Sequence, residues 1–257
     1  MGHIRLGRLP RTQKWKEVVA LVGGEGSAAA IANATMSAAE DNFQQGSADP
    51  LLVHTVWLLS QLPDAARSDD FPQVASALGL SVPANATATD IAVAIGEAVD
   101  AHARSLDGPR TDLGEMARLA AVETLARALE SSTPSLFGPR PNEAQEALKQ
   151  LGTEKQFGTL SREFFGRLTE RVLTHFVSKE LPLHVGAGRR FDSIDEQRAF
   201  QESIGLHARQ AARIVEVYAG AWWSKARFER ELTPERTERF VAYAMKKMRD
   251  ELRRGAD

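Results

Sequence analysis

The side chains best equipped for chemistry lie in the last third of the sequence. Residues 184–190 read His184-Val185-Gly186-Ala187-Gly188-Arg189-Arg190. Two glycines let backbone N–H groups converge on an anion, and a guanidinium offers a flat fork of donors that matches a carboxylate or phosphate. Further along come His207, Arg209 and Arg213, the two arginines spaced to share a helix face. Trp222-Trp223-Ser224-Lys225-Ala226-Arg227 follows. Aromatic rings beside bases suit stacking on nucleobases or on a partner protein. The candidate binding residues are therefore His184, Arg189, Arg190, His207, Arg209, Arg213, Trp222, Trp223 and Lys225. The plainer alternative for these positions is a core tryptophan among solvated charges.

Catalytic patterns are missing or mis-spaced. None of the histidines, His3, His54, His102, His175, His184 and His207, belongs to a His-Glu-x-x-His or Glu-x-x-His pair, so no metal site is expected. The alternative is convergence of His175, His184 and His207 in space. An arginine closely preceding a histidine on a helix would suit acid–base cleavage of RNA. The nearest approaches are Arg171 and Arg167 before His175; Arg171 shares a helix face with it, but neither has the required spacing. No Gly-x-Ser-x-Gly elbow is present. Gly24-x-Gly26-x-x-Ala29 resembles a dinucleotide turn, but the residues before it repeat with a helical period where such a turn needs a strand. No cofactor is expected. With no cysteine, the chain forms no disulfide and has no thiol nucleophile.

The elements that must position these residues read as helices throughout. Apolar residues make up 43% and charged residues 26%, a balance that supports a packed core rather than disorder. Trp15, Val18, Val19 and Val22 fall on one helical face between Thr12 and Gly23-Gly24. Ser27 opens an Ala-rich segment that ends at Gly46. Asp49-Pro50 starts a helix apolar nearly all round, as a buried central helix should be. Ser68 or Asp69 opens a short helix that stops at Gly79, and residues 80–89 read as a loop. A further helix carries Ile91, Ile95, Ala98 and His102 up to Gly108-Pro109, and Thr111 or Asp112 begins the next.

In the second half Phe157, Leu160, Phe164, Leu168 and Val172 form one stripe that runs to Leu181-Pro182. Ser193 and Glu196 make a capping box. Phe200, Ile204, His207, Ala211, Ile214 and Tyr218 form a single seam suited to helix pairing. Thr233-Pro234 starts a last helix with Phe240, Ala244, Met248 and Leu252. The expected fold is an all-α multi-helix bundle of about nine or ten helices. Residues 131–142 are the strongest breaker cluster and the candidate boundary between halves 1–130 and 143–257, unless the chain is one domain.

Net charge is −2, unevenly spread. Arg5, Arg8, Arg11, Lys14 and Lys16 cluster at the start with no acid among them, and the second half carries more bases than acids. The apolar run 18–22 is too short for a signal-peptide core, and the run 51–62 falls short of the roughly 20 residues that span a bilayer. A cytoplasmic protein without membrane contact is expected. The functional expectation is a non-enzymatic helical binding or scaffold subunit of an intracellular, bacterial-type protein assembly, whose partners are other protein subunits. The alternatives are a nucleic-acid-binding helical protein and a divergent nuclease using His and Arg as acid and base.

Overall fold

The structure, a computed structural model, describes residues 13–38, 48–107, 110–132 and 142–254. The bases Arg5, Arg8 and Arg11, the stops at Gly46 and Gly108-Pro109, and nearly all of the boundary cluster 131–142 lie outside the described residues. Within them the chain forms eleven α-helices, one 3-10 turn and no strand. The all-α expectation holds.

Local chemistry explains most helix starts. After α1 (Gln13–Gly23), Ser27 caps α2 (Ala28–Ala38), accepting from the Ala30 N–H at 3.1 Å. The buried Asp49 carboxylate caps α3 (Pro50–Ala65), accepting from the N–H groups of Leu51 and Leu52 at 2.9 and 3.0 Å; a carboxylate there answers both the orphan donors and the helix dipole. The short α4 (Phe71–Ala77) is capped by Asp70, one residue beyond the expected Asp69. It ends in a Schellman turn. Gly79, at φ +83°, donates to Ser76, and Leu80 donates to Ala75.

Thr87 and Asp90 form a reciprocal capping box that starts α5 (Ala88–Ser105) earlier than expected. Thr111 caps α6 (Asp112–Ser132), accepting from Gly114 at 2.9 Å and donating to Asp49 at 2.5 Å, so two helix starts share one polar cluster.

Then come α7 (Glu143–Leu151), α8 (Glu154–Val177), the 3-10 turn Leu181–His184, α9 (Ile194–Ala211), α10 (Arg213–Phe228) and α11 (Pro234–Arg254). Three further features differ from expectation. Helix α7 is additional, and its buried Ala144, Ala147, Leu148 and Leu151 form a short stripe. The seam from Phe200 to Tyr218 is divided at Ala212 into α9 and α10. Gly166 of α8 faces the break, where an added Cβ would lie 3.4 Å from the Ala212 Cβ and the Arg209 Cα. The Ser193 box forms with a shift. Glu196 donates its N–H to the Ser193 hydroxyl but returns its carboxylate to the Asp192 N–H at 2.9 Å.

Two helices organise the packing. Helix α8 touches α2, α6, α7, α9 and α10, whereas α3 touches α4, α5, α6, α7 and α11. The stripe Phe157, Leu160, Phe164, Leu168 and Val172 is buried along its whole length. One hydrophobic cluster runs from Trp15 to Leu252, so apolar burial, the main driving force of folding, is shared by both ends of the chain. Hydrogen bonds also cross between early and late residues. Trp57 Nε1 and Gln61 Nε2 both donate to the Leu232 carbonyl, at 3.0 and 2.8 Å.

Candidate functional site

The loop 184–191 is a compact turn. Gly186 N–H donates to the Phe191 carbonyl at 2.8 Å, and Phe191 N–H donates to the His184 carbonyl at 3.0 Å. Gly186 and Gly188 have φ of +129° and +72°, values that need glycine. The loop rests on the end of α1. A Cβ on Gly23 would come within 3.0 Å of the His184 ring. Arg190 donates to the carbonyls of Leu21 at 2.5 Å, Val22 at 3.1 Å and Gly26. Its guanidinium carbon lies 4.4 Å from the Phe200 ring centroid.

The two glycine-rich segments that each resembled an anion cradle are thus joined to one another. The orphan carbonyls at the end of α1 occupy the guanidinium that was expected to hold an anion. Arg189 is exposed and donates to the Leu183 carbonyl.

The tryptophan pair turns inward. Trp223 is 2% exposed, donates its indole N–H to the Ser60 carbonyl at 2.9 Å, and stacks on Phe157 at 5.1 Å. Trp222 is half-buried and stacks on Phe240 at 4.1 Å. Neither ring is a free platform for a nucleobase. Arg209 pairs with Glu170 of α8. His207 is half-buried near Leu252 of α11, and burial lowers its pKa against the opposing effect of the Leu252 backbone.

The remaining candidate histidine is His175. His175 packs edge-on against Phe176, and its pKa is lowered by burial and by Lys179. Among the described residues no group of three or more His, Cys, Asp or Glu could hold a metal ion, and no helix is long and apolar enough to cross a membrane.

Besides Arg189, the candidates that remain at the surface are Arg213 and Lys225, both on α10. With Val217, Ala221 and Phe228 they recur every three or four positions, so all five line one face. Val217 is 78% exposed and Phe228 89%. This is a stripe of apolar side chains interleaved with two cations. Lys225 has only a distant partner in Glu229, at 3.9 Å. Sequence reasoning found the bases but missed Val217 and Phe228. Once the Trp223 side is assigned to the core, helical spacing alone puts both on the outer face.

A cleft of about 380 Å³ opens between α6, the end of α7 and α8. Thr124, Arg127 and Ala128 of α6 line one wall, and Leu160, Glu163 and Arg167 of α8 line another. Behind it, the Glu123 carboxylate meets three guanidinium groups: Arg167 at 3.1 Å, Arg127 at 3.3 Å and Arg171 at 2.9 Å. Arg167 and Arg171 therefore face Glu123 across the helix interface; the ring they were weighed against, His175, packs on Phe176 instead. Comparison with known protein families, curated proteins and solved structures finds nothing that matches this chain.

Proposed function

We propose that this chain is a non-enzymatic helical subunit of an intracellular protein assembly, and that it binds a partner through the outer face of α10. The observation that carries the reading is the exposure of Val217 and Phe228 on a face that also bears Arg213 and Lys225. Large apolar side chains cost free energy in water unless something covers them, about 25 cal/mol per Å² of apolar surface. Aromatic residues and arginine are enriched at protein–protein interfaces relative to the rest of the surface. The fitting partner is an amphipathic helix with acidic residues placed to meet Arg213 and Lys225. It would lie along roughly 22 Å of α10, at 1.5 Å per residue.

The nucleic-acid alternative draws less support. A duplex or single strand is held by many phosphate contacts and stacked rings, and this face offers two bases while Trp223 is buried. The nuclease alternative lacks a meeting of His175, His184 and His207, which face Phe176, Gly23 and Leu252 respectively.

A photo-crosslinking residue at position 217 or 228, in extract of the source cell, is expected to capture one and the same polypeptide. The exposed Val93 position is expected to capture none. Arg213→Glu with Lys225→Glu should abolish capture. Equal capture from all three positions, or crosslinks removed by nuclease, would overturn the reading.

A further inference from the structure

Arg167 is an unusual residue to find on the wall of a cleft. It is 8% exposed, and charged side chains are rarely so buried unless fully paired. Its pairing is incomplete. One Nη donates to Glu123 at 3.1 Å, the other lies 3.5 Å from Glu163, and the buried Nε–H has no partner. Thr124, 2% exposed and on the same cleft, also has a buried hydroxyl without a partner. Unmet buried donors are costly, and in a native structure they call for a ligand, an ion or water. The charge points to the sign of the ligand. Arg127, Arg167 and Arg171 surround the cleft and its rear wall against Glu123 and Glu163, which leaves one positive charge unmatched.

We propose that this cleft binds a small organic carboxylate. One negative charge balances the surplus, whereas a phosphate dianion would exceed it. The Arg127 guanidinium, open to solvent on the cleft's wall, offers a planar fork that suits a carboxylate, and Arg167 on the facing wall adds positive charge. Leu151, Leu160 and Ala128 give the site an apolar side for the hydrocarbon body of the ligand, and the volume lies within the range of about 300–1,000 Å³ usual for small-molecule sites. This site is separate from the outer face of α10, so each proposal stands or falls alone.

Isothermal titration of the full chain with hexanoate and benzoate tests the inference, with hexanol and inorganic phosphate at matched ionic strength as comparators. Saturable binding of the carboxylates, and of neither comparator, is the expected result. Arg127→Gln, checked for wild-type melting, should weaken binding by about tenfold, the equivalent of one good hydrogen bond to a charge. No saturable carboxylate binding, equal binding of hexanol, preference for inorganic phosphate, or unchanged affinity in Arg127→Gln would each overturn it.

Discussion

Trp223 donates its indole N–H to the carbonyl of Ser60, 163 positions earlier in the chain, at 2.9 Å. The bond joins α10 to α3 inside the core, with Phe157 stacked on the same indole. Trp223→Phe keeps much of the apolar volume and removes the donor. The Ser60 carbonyl then loses its cross-core partner, and a loss of roughly 1–3 kcal/mol in unfolding free energy is expected. Urea denaturation followed by tryptophan fluorescence and by circular dichroism should give one coincident transition with a lower midpoint. An unchanged midpoint would mean that the bond contributes nothing to stability.

The neighbouring arginines 189 and 190 should behave very differently. Arg190 meets the carbonyls of Leu21, Val22 and Gly26 and covers the Phe200 ring, whereas Arg189 is exposed. Arg190→Ala is expected to cost roughly 2–4 kcal/mol and Arg189→Ala no more than about 0.5 kcal/mol. Arg190→Lys should rescue little, because an ammonium cannot span three carbonyls with a planar fork. Thermal melts of the three variants decide the matter. A ligand-binding role for Arg190 would show the opposite pattern, with melting intact and binding lost.

Local chemistry was legible and long-range pairing was not. Asp49-Pro50, Ser193 with Glu196 and Thr233-Pro234 announce helix starts because a cap is satisfied within a few residues of itself. The stripe Phe157 to Val172 is legible because burial follows the period of the helix. Arg190 carried no such signal. Its partners lie 164 to 169 positions away, and in sequence an arginine beside glycines reads the same whether it awaits an anion or closes a helix end. Arg167 left a faint trace, since it sits between Phe164 and Leu168 at the edge of the buried stripe. A charge there is either paired or waiting for a partner. The Trp222-Trp223 pair misled through adjacency to bases, because residues next to each other on a helix point about 100° apart. Lys225 can therefore face water while Trp223 faces Ser60.

Gly220 marks the tightest approach between α10 and α8. A Cβ there would fall 2.8 Å from the Glu154 carbonyl carbon and closer still to its oxygen, and a Cβ on Gly158 would fall 2.9 Å from the Glu216 carbonyl oxygen. Backbone cannot yield as a flexible side chain can. Gly220→Ala should therefore destabilise despite alanine's better helix propensity, by roughly 1–3 kcal/mol as an overpacked core does. Gly188→Ala offers a contrast. It has open space around its Cβ position but a φ of +72°, so its cost of about 1 kcal/mol would come from backbone strain alone. Double-mutant analysis should find the two effects additive, since the sites share no contact.

Acid should weaken the fold through a pair of stacked imidazoles. The His54 and His102 rings lie 3.8 Å apart and nearly parallel, one on α3 and the other on α5. Burial, and then the neighbouring His102, push the His54 pKa down to about 4, and burial lowers that of His102 as well. An unfolded histidine takes up its proton near pH 6.5. Below that value the unfolded chain binds protons that the native pair refuses, so stability falls as pH drops from about 6.5 towards 4, at no more than about 1.4 kcal/mol per pH unit for each proton. Above pH 7 both states are neutral at these positions and the pair contributes no pH dependence. Urea midpoints measured between pH 7.5 and 5, before most carboxylates titrate, should decline in the wild type. They should decline less steeply in His54→Phe, which keeps an aromatic ring against His102 and cannot accept a proton. Equal slopes in the two proteins would show that the stacked pair does not drive the loss.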